Sequence, residues 1–246
     1  MAEPLRNKRE AVNHFVKKLL DVAKGQIAKV LIFGSLAKKN IRTESDIDVF
    51  ILYFGDEEKI LDITSELSFE TALKYGESIE PFLMSIHEFN SRKNSSLFLR
   101  EVLRNCEVIY EMSKNESDML EAQDYVDLAE EFLTYAEGAL KRKEFRAAID
   151  QGYNAIELAI KALILIKGET LASSHGGIIQ RLGRLYIITG EIRKEIGKNT
   201  RRSLTIRNKA RYDPKAKITE EDATSIIGLA KELLDALNKK IKTKTS

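Results

Sequence analysis

Hydrophobic residues recur at two different spacings along this chain, and the two spacings predict two domains. Over residues 1–112, stretches with apolar positions three and four residues apart alternate with short, nearly continuous apolar runs. The first spacing is typical of amphipathic helices and the second of buried strands. Over residues 122–246 only the helical spacing is found. The pattern therefore predicts a mixed α/β domain followed by an all-α helical bundle, with the boundary in the polar, aperiodic segment 111–121.

The individual elements follow from the same pattern and from the residues that end helices. In the first domain we predict helices over residues 5–24, 57–75 and 95–105, and strands over residues 27–33, 46–53, 78–86 and 108–110. In the second domain we predict helices over residues 122–141, 144–167, 174–188 and 191–212, and a fifth that begins at residues 219–222, which resemble a capping box. Residues 144–167 are apolar on nearly all sides, so this helix is expected at the centre of the bundle.

Composition and charge narrow the function classes. The chain has 246 residues, 43% of them hydrophobic, which is enough for a core in each of two domains. A net charge of +2 excludes a molecule that is basic all over, so any contact with nucleic acid must come from a local cluster. The single cysteine excludes an internal disulfide. The charged N-terminal segment lacks a signal-peptide pattern, and every apolar run is much shorter than a membrane span of about 18 residues. We therefore expect a cytoplasmic protein with no membrane contact.

Two short motifs in the first domain carry candidate chemistry. Gly34-Ser35 ends the first predicted strand, and Asp46 and Asp48 open the second, with ten residues between Ser35 and Asp46. Side chains alternate along a strand, so the two carboxylates point to one face, about 6.5–7 Å apart. Paired carboxylates suit Mg²⁺, whose other ligands are waters and substrate phosphates. Because a glycine-serine turn at a helix start presents backbone N–H groups to phosphates, the two motifs together predict a site for a nucleoside triphosphate and its metal.

This pair of motifs, at this spacing, resembles the signature of the DNA polymerase β-like nucleotidyltransferase superfamily, in the short form of the minimal nucleotidyltransferases of prokaryotes. The resemblance implies a small mixed sheet in an α+β domain, and Mg²⁺ or Mn²⁺ held by Asp46 and Asp48. It also implies ATP or another nucleoside triphosphate as substrate, with its phosphate tail gripped at Gly34 and Ser35. The alternative is a surface turn and two solvated acids.

The same resemblance implies a third carboxylate, on the strand beside the Asp-x-Asp strand, that ligates metal or takes the proton from the attacking hydroxyl. Glu80 is the best-placed candidate, and Glu77 is the alternative. Pro81 favours an edge position for this strand, because proline cannot donate a ladder hydrogen bond. If Glu80 is not catalytic, it is an acid that faces solvent on that edge.

Basic residues follow the glycine-serine motif. Lys38, Lys39 and Arg42 have two interpretations. They neutralise the triphosphate and the departing pyrophosphate, or they belong to an ordinary solvated loop.

The second domain contains a basic helix at residues 191–212, which suits a phosphate-rich partner, either RNA or a nucleotide, or else forms a solvated face. Residues 146–165, Ser174-His175-Gly176 and the run from Arg207 to Tyr212 resemble a HEPN domain, the small helical bundle found beside minimal nucleotidyltransferases. His175 either completes a nucleotide or RNA pocket with the basic helix or caps the start of its own helix. The resemblance also implies a homodimer through the helical domain.

Tyr212 stands where ribonuclease members of the HEPN family carry histidine, with four residues between it and Arg207. A free tyrosine ionises near pH 10 and cannot replace an imidazole as acid and base near pH 7, which argues against RNA cleavage by this domain. A HEPN subgroup carries Arg-x-x-Ala-x-Tyr, and Arg207 to Tyr212 match it. In two-gene systems that resemble these two halves, the transferase adds adenylate to a tyrosine near the HEPN motif. The resemblance therefore implies Tyr212, beside Arg211, as a candidate acceptor.

These observations predict a metal-dependent nucleotidyltransferase that moves a nucleoside monophosphate, AMP from ATP first of all, to a hydroxyl acceptor. Three classes of function compete: a transferase that modifies a protein in a toxin–antitoxin-like module, an aminoglycoside-type transferase that acts on a small molecule, and a non-catalytic protein that binds nucleotide or RNA. The acceptor of a transferase is a protein, RNA or a small molecule. The sequence leaves the acceptor open.

Overall fold

The computed structural model describes residues 3–38 and 45–245, and two compact units are found within it, Met1–Ser113 and Lys114–Ser246. The first unit contains, in chain order, α1 (Glu3–Ala23), β1 (Ile27–Ile32), α2 (Gly34–Ala37), β2 (Ile47–Tyr53), α3 (Glu57–Tyr75), β3 (Ile79–Ser85), α4 (Ile86–Arg92), α5 (Leu97–Arg104) and β4 (Glu107–Glu111). The strands and the long helices agree with the sequence pattern to within a few residues.

The described strands form one mixed sheet in the order β3-β2-β1-β4. β1 pairs antiparallel with β2 and with β4, whereas β2 and β3 run parallel. β3 is therefore an edge strand beside the Asp-x-Asp strand, as Pro81 and the family resemblance predict. The parallel register places Asp48 beside Glu80 and Phe50 beside Phe82.

The two faces of the sheet have different coverings. Ile47, Val49 and Ile51 of β2 are buried in one apolar core with residues of α1 and α3. Asp48 and Phe50 lie on the opposite face, because side chains alternate along a strand. Helices α1 and α3 thus cover one face and leave the carboxylate motif on the other.

An aromatic cluster lies on the face that carries Asp48. The ring centroid of Phe50 is 6.3 Å from Phe33, 5.4 Å from Phe82, 6.4 Å from Phe89 and 6.3 Å from Phe98. Such tilted and edge-to-face pairs stabilise beyond the area that they bury. The cluster packs α4 and α5 against this face, one row of side chains beyond Asp48 and Glu80.

The second unit is helical, with α6 (Lys114–Lys141), α7 (Phe145–Leu165), α8 (His175–Leu182), a π-helical turn at Gly183–Ile187, α9 (Lys194–Tyr212) and α10 (Glu220–Thr245). α7 is buried on nearly every side and is the central helix, as its apolar pattern predicts. The capping box is present, since Thr219 Oγ1 accepts from the Asp222 backbone N–H at 3.1 Å and Asp222 Oδ2 accepts from the Thr219 N–H at 3.2 Å. The prediction of a small mixed domain followed by an all-α bundle is confirmed.

The start of helix α6 differs from the sequence pattern, which predicts a helix from residue 122. α6 begins at Lys114, inside the segment 111–121 that was interpreted as polar and aperiodic. Lys114 and Asp118 form an ion pair one turn apart, and Met119 packs on the bundle core. Glutamate, lysine, methionine and leucine are strong helix formers, so this polar segment extends the helix without an apolar stripe of its own.

Within the described part of the chain, no helix combines the length and the apolar composition that crossing a bilayer requires.

Candidate functional site

The glycine-serine turn and the carboxylate strand meet at Gly34 and Asp48. The Phe33 backbone N–H donates to the Asp48 carbonyl at 3.1 Å, which ties the end of β1 to β2. Gly34 follows with a φ of +68°, in the left-handed region that favours glycine. A Cβ at this position would lie 1.9 Å from Asp48 Oδ2. Only glycine allows the turn to approach the carboxylate this closely.

Asp46 and Asp48 form a pair of acids whose charges repel. Burial raises the pKa of Asp48 above its ordinary value, and the negative charge of Asp46 raises it further. Asp46 itself is exposed just before β2 begins. A divalent cation between the two carboxylates would relieve this repulsion, and Mg²⁺ binds proteins through one or two carboxylates together with waters and substrate phosphates. The donor set therefore fits the metal that the sequence predicts.

Glu80 lies next to Asp48 in the parallel register, so both side chains project from the same face of the sheet. Glu80 is exposed. Among residues 3–38 and 45–245, however, no group of three or more His, Cys, Asp or Glu side chains is arranged to hold a metal ion. Glu80 as a metal ligand or base stays a prediction.

Glu77, the alternative third carboxylate, has both oxygens engaged elsewhere. Its Oε2 accepts from Lys8 Nζ at 2.5 Å, and its Oε1 accepts from Asn7 Nδ2 at 2.9 Å. The side chain of Lys8 is 2% exposed and that of Glu77 is 12% exposed. A carboxylate that is neutralised and buried in this way is a poor metal ligand, which leaves Glu80 as the candidate.

The predicted phosphate-binding residues lie around the turn. The Ser35 hydroxyl is 3.2 Å from the hydroxyl of Ser45, the residue that immediately precedes Asp46. Lys38 Nζ forms an ion pair with Glu101 Oε1 of α5 at 3.1 Å, and both side chains are more than half exposed. Lys39 and Arg42 lie outside the described residues.

We expect Asp48→Asn to stabilise the metal-free chain at pH 7. A carboxyl group whose pKa is raised on folding stabilises the fold below its ordinary pKa, near 3.9, and that stability is lost as the pH rises through the raised pKa. Asparagine has the same shape and does not ionise. The Tm should rise at pH 7 by at most about 2–4 °C, the shift that about 1 kcal/mol produces in chains of this size.

Thermal unfolding in EDTA at pH 7 and at about pH 3 checks this expectation. The difference should vanish at the lower pH, where both side chains are neutral. Excess Mg²⁺ at pH 7 should make the Tm of the wild type the higher of the two, because only the wild type gains stability from binding Mg²⁺. Equal Tm values in EDTA at pH 7 would contradict the repulsion between the two acids.

The helical unit brings its candidate residues together on one side of α7. Arg207 is a buried side chain whose Nε donates to Asp150 Oδ1 at 3.0 Å. Arg211 Nη1 reaches the same oxygen at 3.4 Å. The Arg207 guanidinium also lies 5.7 Å from the ring centroid of Tyr153. One carboxylate of α7 thus orients two arginines of the basic helix.

His175 belongs to the same stripe of α7 contacts. Its Nδ1 contacts Glu157 Oε2, and its ring is 6.0 Å from that of Tyr153. His175 begins α8, but the hydroxyl of Ser174 is the group that caps this helix, by accepting from Gly177 N–H at 3.2 Å. The interpretation of His175 as a capping side chain is therefore wrong, because the residue before it has this role. His175 lies in the polar cluster around Tyr153 instead.

Tyr212 is the last residue of α9, and 70% of it is exposed. The Arg211 guanidinium lies 5.8 Å from its ring centroid. Arg146 of α7 donates to the carbonyl oxygens of Ala210 at 2.5 Å and Asp213 at 3.1 Å, on either side of Tyr212. The backbone at this tyrosine is held, while its side chain extends into solvent beside a cationic neighbour.

Several members of these sites were missed by the sequence pattern. The sequence pattern marks Lys8 only as part of the charged N-terminal segment, and it assigns no individual role to Arg146, Asp150, Tyr153 or Glu157. One signal could have found the last four. Each of them carries a polar group, and they recur at helical spacing along α7, a helix that is mostly apolar. No comparable signal marks Lys8, because charged residues surround it in the sequence.

Both parts of the chain match known protein families. The family model described as polymerase beta, nucleotidyltransferase matches residues 16–115, and the HEPN domain model matches residues 122–241. A Methanocaldococcus jannaschii protein named as a protein adenylyltransferase is 36% identical over 104 residues, which is 42% of this chain and 99% of that protein. A second protein of that organism, named as a toxin, is 34% identical over 122 residues, which is 50% of this chain and 90% of that protein.

Among solved structures, the spectinomycin adenyltransferase AAD(9) from Enterococcus faecialis, with ATP and spectinomycin, covers 92% of this chain and 98% of its own at 14% identity and a TM-score of 0.36. The two family models match successive parts of the chain. This chain belongs to the polymerase β nucleotidyltransferase family through its first unit and to the HEPN family through its second, and it is a nucleotidyltransferase.

Proposed function

We propose that this chain transfers AMP from ATP, with Mg²⁺, to the hydroxyl of a protein tyrosine in a toxin–antitoxin-like module. The observation that carries the proposal is the contact between Gly34 and Asp48, where an added Cβ would lie 1.9 Å from the carboxylate. This contact brings a turn suited to phosphates against the pair of acids suited to a metal. Adenylate as the transferred group is supported by the relative that is named as a protein adenylyltransferase.

The reaction forms one P–O bond and breaks another at the α-phosphorus. The acceptor hydroxyl attacks opposite the departing pyrophosphate, since the attacking and leaving oxygens in phosphoryl transfer are roughly in line. Asp46 and Asp48 would hold Mg²⁺, which when bound draws negative charge from the phosphate oxygens. Glu80, on the side of Asp48 away from Gly34, is the residue we assign to receive the hydroxyl proton, directly or through water.

The leaving pyrophosphate would lie against the turn at Gly34 and Ser35. Lys38 is close enough in sequence to neutralise it, although its side chain is paired with Glu101. Exposed pairs of this kind contribute about 0–1 kcal/mol. A triphosphate that binds beside the turn can therefore compete with Glu101 for the Lys38 ammonium.

Tyr212 is the acceptor that we propose. Its side chain is 70% exposed, and Arg211 lies against its ring. Arg207 and Arg211 share the single carboxylate of Asp150, so the three side chains keep a net positive charge, which suits an approaching nucleotide phosphate. The matches to a relative named as an adenylyltransferase and to another named as a toxin support a transferase that acts on the HEPN unit.

The acceptor assignment predicts that the 246-residue chain, incubated with ATP and Mg²⁺, gains the mass of one adenylate. Tyr212→Phe should remove the adduct, because the ring is kept and only the nucleophilic oxygen is lost. Tyr135→Phe is the matched control, since Tyr135 is also an exposed tyrosine of the helical unit, at 51%. Intact-mass and peptide mass spectrometry measure the result.

Three outcomes of this assay would contradict the acceptor. One is an adduct that persists in Tyr212→Phe. The others are label that appears only on added tRNA, which would make RNA the acceptor, and label that appears only on an added aminoglycoside, which would support the small-molecule class. If ATP binds to the wild type but neither the chain nor any added acceptor is labelled, the acceptor assignment also fails. The non-catalytic interpretation is then favoured.

The same assay decides whether transfer takes place within one chain or between two copies. Asp48→Ala keeps Tyr212 and lacks the metal ligand, whereas Tyr212→Phe keeps the catalytic unit and lacks the acceptor. Label on Asp48→Ala in a mixture of the two shows transfer between copies, as we expect if the chain is a homodimer through its helical unit. The absence of label in the mixture, with labelled wild type, shows transfer within one chain.

A further inference from the structure

Lys8 is a charged side chain in the interior of the first unit. It projects from α1 and is 2% exposed. Its Nζ donates to Glu77 Oε2 at 2.5 Å and to the Ser45 carbonyl oxygen at 2.7 Å. Lysine is almost never this deeply buried unless it is paired, because removing an ammonium group from water is costly.

The two partners of Lys8 stand at the starts of the two strands that carry the carboxylates. Ser45 immediately precedes Asp46, and Glu77 comes two residues before the first residue of β3, the strand of Glu80. The two starts are also joined directly, by the Ile47 N–H that donates to the Ser78 carbonyl at 2.9 Å. One ammonium group therefore bridges the chain segments that lead into β2 and β3.

Asp46 depends on this bridge more than Asp48 does. Asp48 lies within β2 and is held by ladder pairing on both sides, with β1 and with β3. Asp46 precedes the first residue of β2. The Lys8 contact fixes the peptide group on the N-terminal side of Asp46, and the Ile47 contact fixes the backbone on its other side.

We propose that Lys8 is a positioning residue for the metal site, which acts by fixing the backbone at Asp46 relative to the strand of Glu80. This inference rests on the proposed function, because it assigns Asp46 to the metal. Lys8 does not touch the nucleotide or the metal. Its effect is on where the Asp46 carboxylate stands before the metal arrives, and partners that orient ligands in this way typically contribute tenfold to a hundredfold in metal affinity.

The test asks whether the ion pair between Lys8 and Glu77 only stabilises the fold or also positions Asp46. Lys8→Met alone leaves Glu77 buried without its partner and is expected to impair folding. The double variant Lys8→Met/Glu77→Met replaces both charges by apolar groups, a change that is often tolerated or even stabilising. We expect it to remain folded and to bind Mn²⁺, measured by EPR without nucleotide, about tenfold to a hundredfold more weakly than the wild type.

A matched control lies on the same helix. Arg9 pairs with Glu107 of β4 through two hydrogen bonds, at 2.5 and 2.6 Å, and β4 carries neither Asp46, Asp48 nor Glu80. Arg9→Met/Glu107→Met also removes one ion pair between α1 and the sheet. It should leave Mn²⁺ affinity within twofold of the wild type. In turnover assays, the Lys8 and Glu77 double variant should need more metal for its half-maximal rate, and saturating Mn²⁺ should recover most of that rate.

Two results would overturn the proposal in distinguishable ways. If the wild type binds no Mn²⁺ and Asp48→Ala changes nothing, the metal site itself fails, and the role of Lys8 fails with it. If the wild type binds Mn²⁺ and the folded double variant binds it equally well, the metal site stands and Lys8 is only a stabilising residue. A loss of affinity in the Arg9 control as large as in the Lys8 variant would also overturn the proposal.

Discussion

Asp48→Ala is expected to lower the rate of nucleotidyl transfer by about a thousandfold or more. The carboxylate lies against the Gly34 turn and beside Glu80. In the proposed function, its loss removes the ligand that joins the metal to the phosphate site. A metal ion that polarises a phosphoryl oxygen contributes several kcal/mol to transition-state stabilisation. Each 1.36 kcal/mol corresponds to a factor of ten in rate. The measurement is pyrophosphate release or adduct formation at saturating ATP and Mg²⁺.

The change in rate must not come from unfolding. Asp48 is an acid whose pKa is raised by burial and by Asp46, so its removal is not expected to destabilise the metal-free chain. Glu111→Ala is a matched control, because Glu111 is an acid on β4 of the same sheet and pairs with Lys29 at 2.9 Å. It should retain most of the wild-type rate. Wild-type turnover of Asp48→Ala and Asp46→Ala with every nucleotide tried would refute the catalytic assignment.

Gly34→Ala is expected to reduce the rate by about a hundredfold. The new Cβ would lie 1.9 Å from Asp48 Oδ2 and 2.8 Å from its Cγ, so the carboxylate or the turn must move by more than an ångström. Misplacement of a catalytic group by about 1 Å can cost a factor of about 10² in rate. Metal affinity should fall together with the rate, since the same carboxylate is displaced.

A second glycine isolates the steric effect from backbone strain. Gly34 has a φ of +68° and Gly76, which ends α3, has a φ of +65°. A Cβ on Gly76 would meet nothing within 4 Å. Gly76→Ala therefore carries the strain of a left-handed alanine, about 1–2 kcal/mol, without the clash, and should keep a rate within a few-fold of the wild type. Equal rates for the two variants would show that the contact with Asp48 does not matter.

Most of the first unit could be predicted because its signals are local. Gly34 and Asp48 stand at the ends of apolar strands, and strand alternation fixes the face on which the carboxylate lies. Pro81 indicated an edge strand, and β3 is one. The family could be recognised for the same reason, since its signature is a short spacing between two strand ends.

The helical unit shows where a local pattern stops being informative. The apolar stripe of α7 was sufficient to predict the central helix. Which of its polar residues meets α9 and which meets α8 depends on how three helices pack. Asp150 was therefore missed, although Arg207 and Arg211, which it orients, were both identified from their motif.

The sequence by itself determined the type and order of the elements, the family, and the pair of acids beside a glycine-serine turn, because helix and strand periodicity and turn chemistry are properties of neighbouring residues. Only the tertiary structure decided which distant groups meet. Lys8 and Glu77 are 69 positions apart, and Arg207 and Asp150 are 57 apart. Sheet order, register and helix packing bring these pairs together, and each pair is buried enough that an unpaired charge would be unfavourable. The tertiary structure thereby distinguished the two candidate third carboxylates. Glu77 is neutralised by Lys8 inside the fold, whereas Glu80 lies beside Asp48 and is exposed.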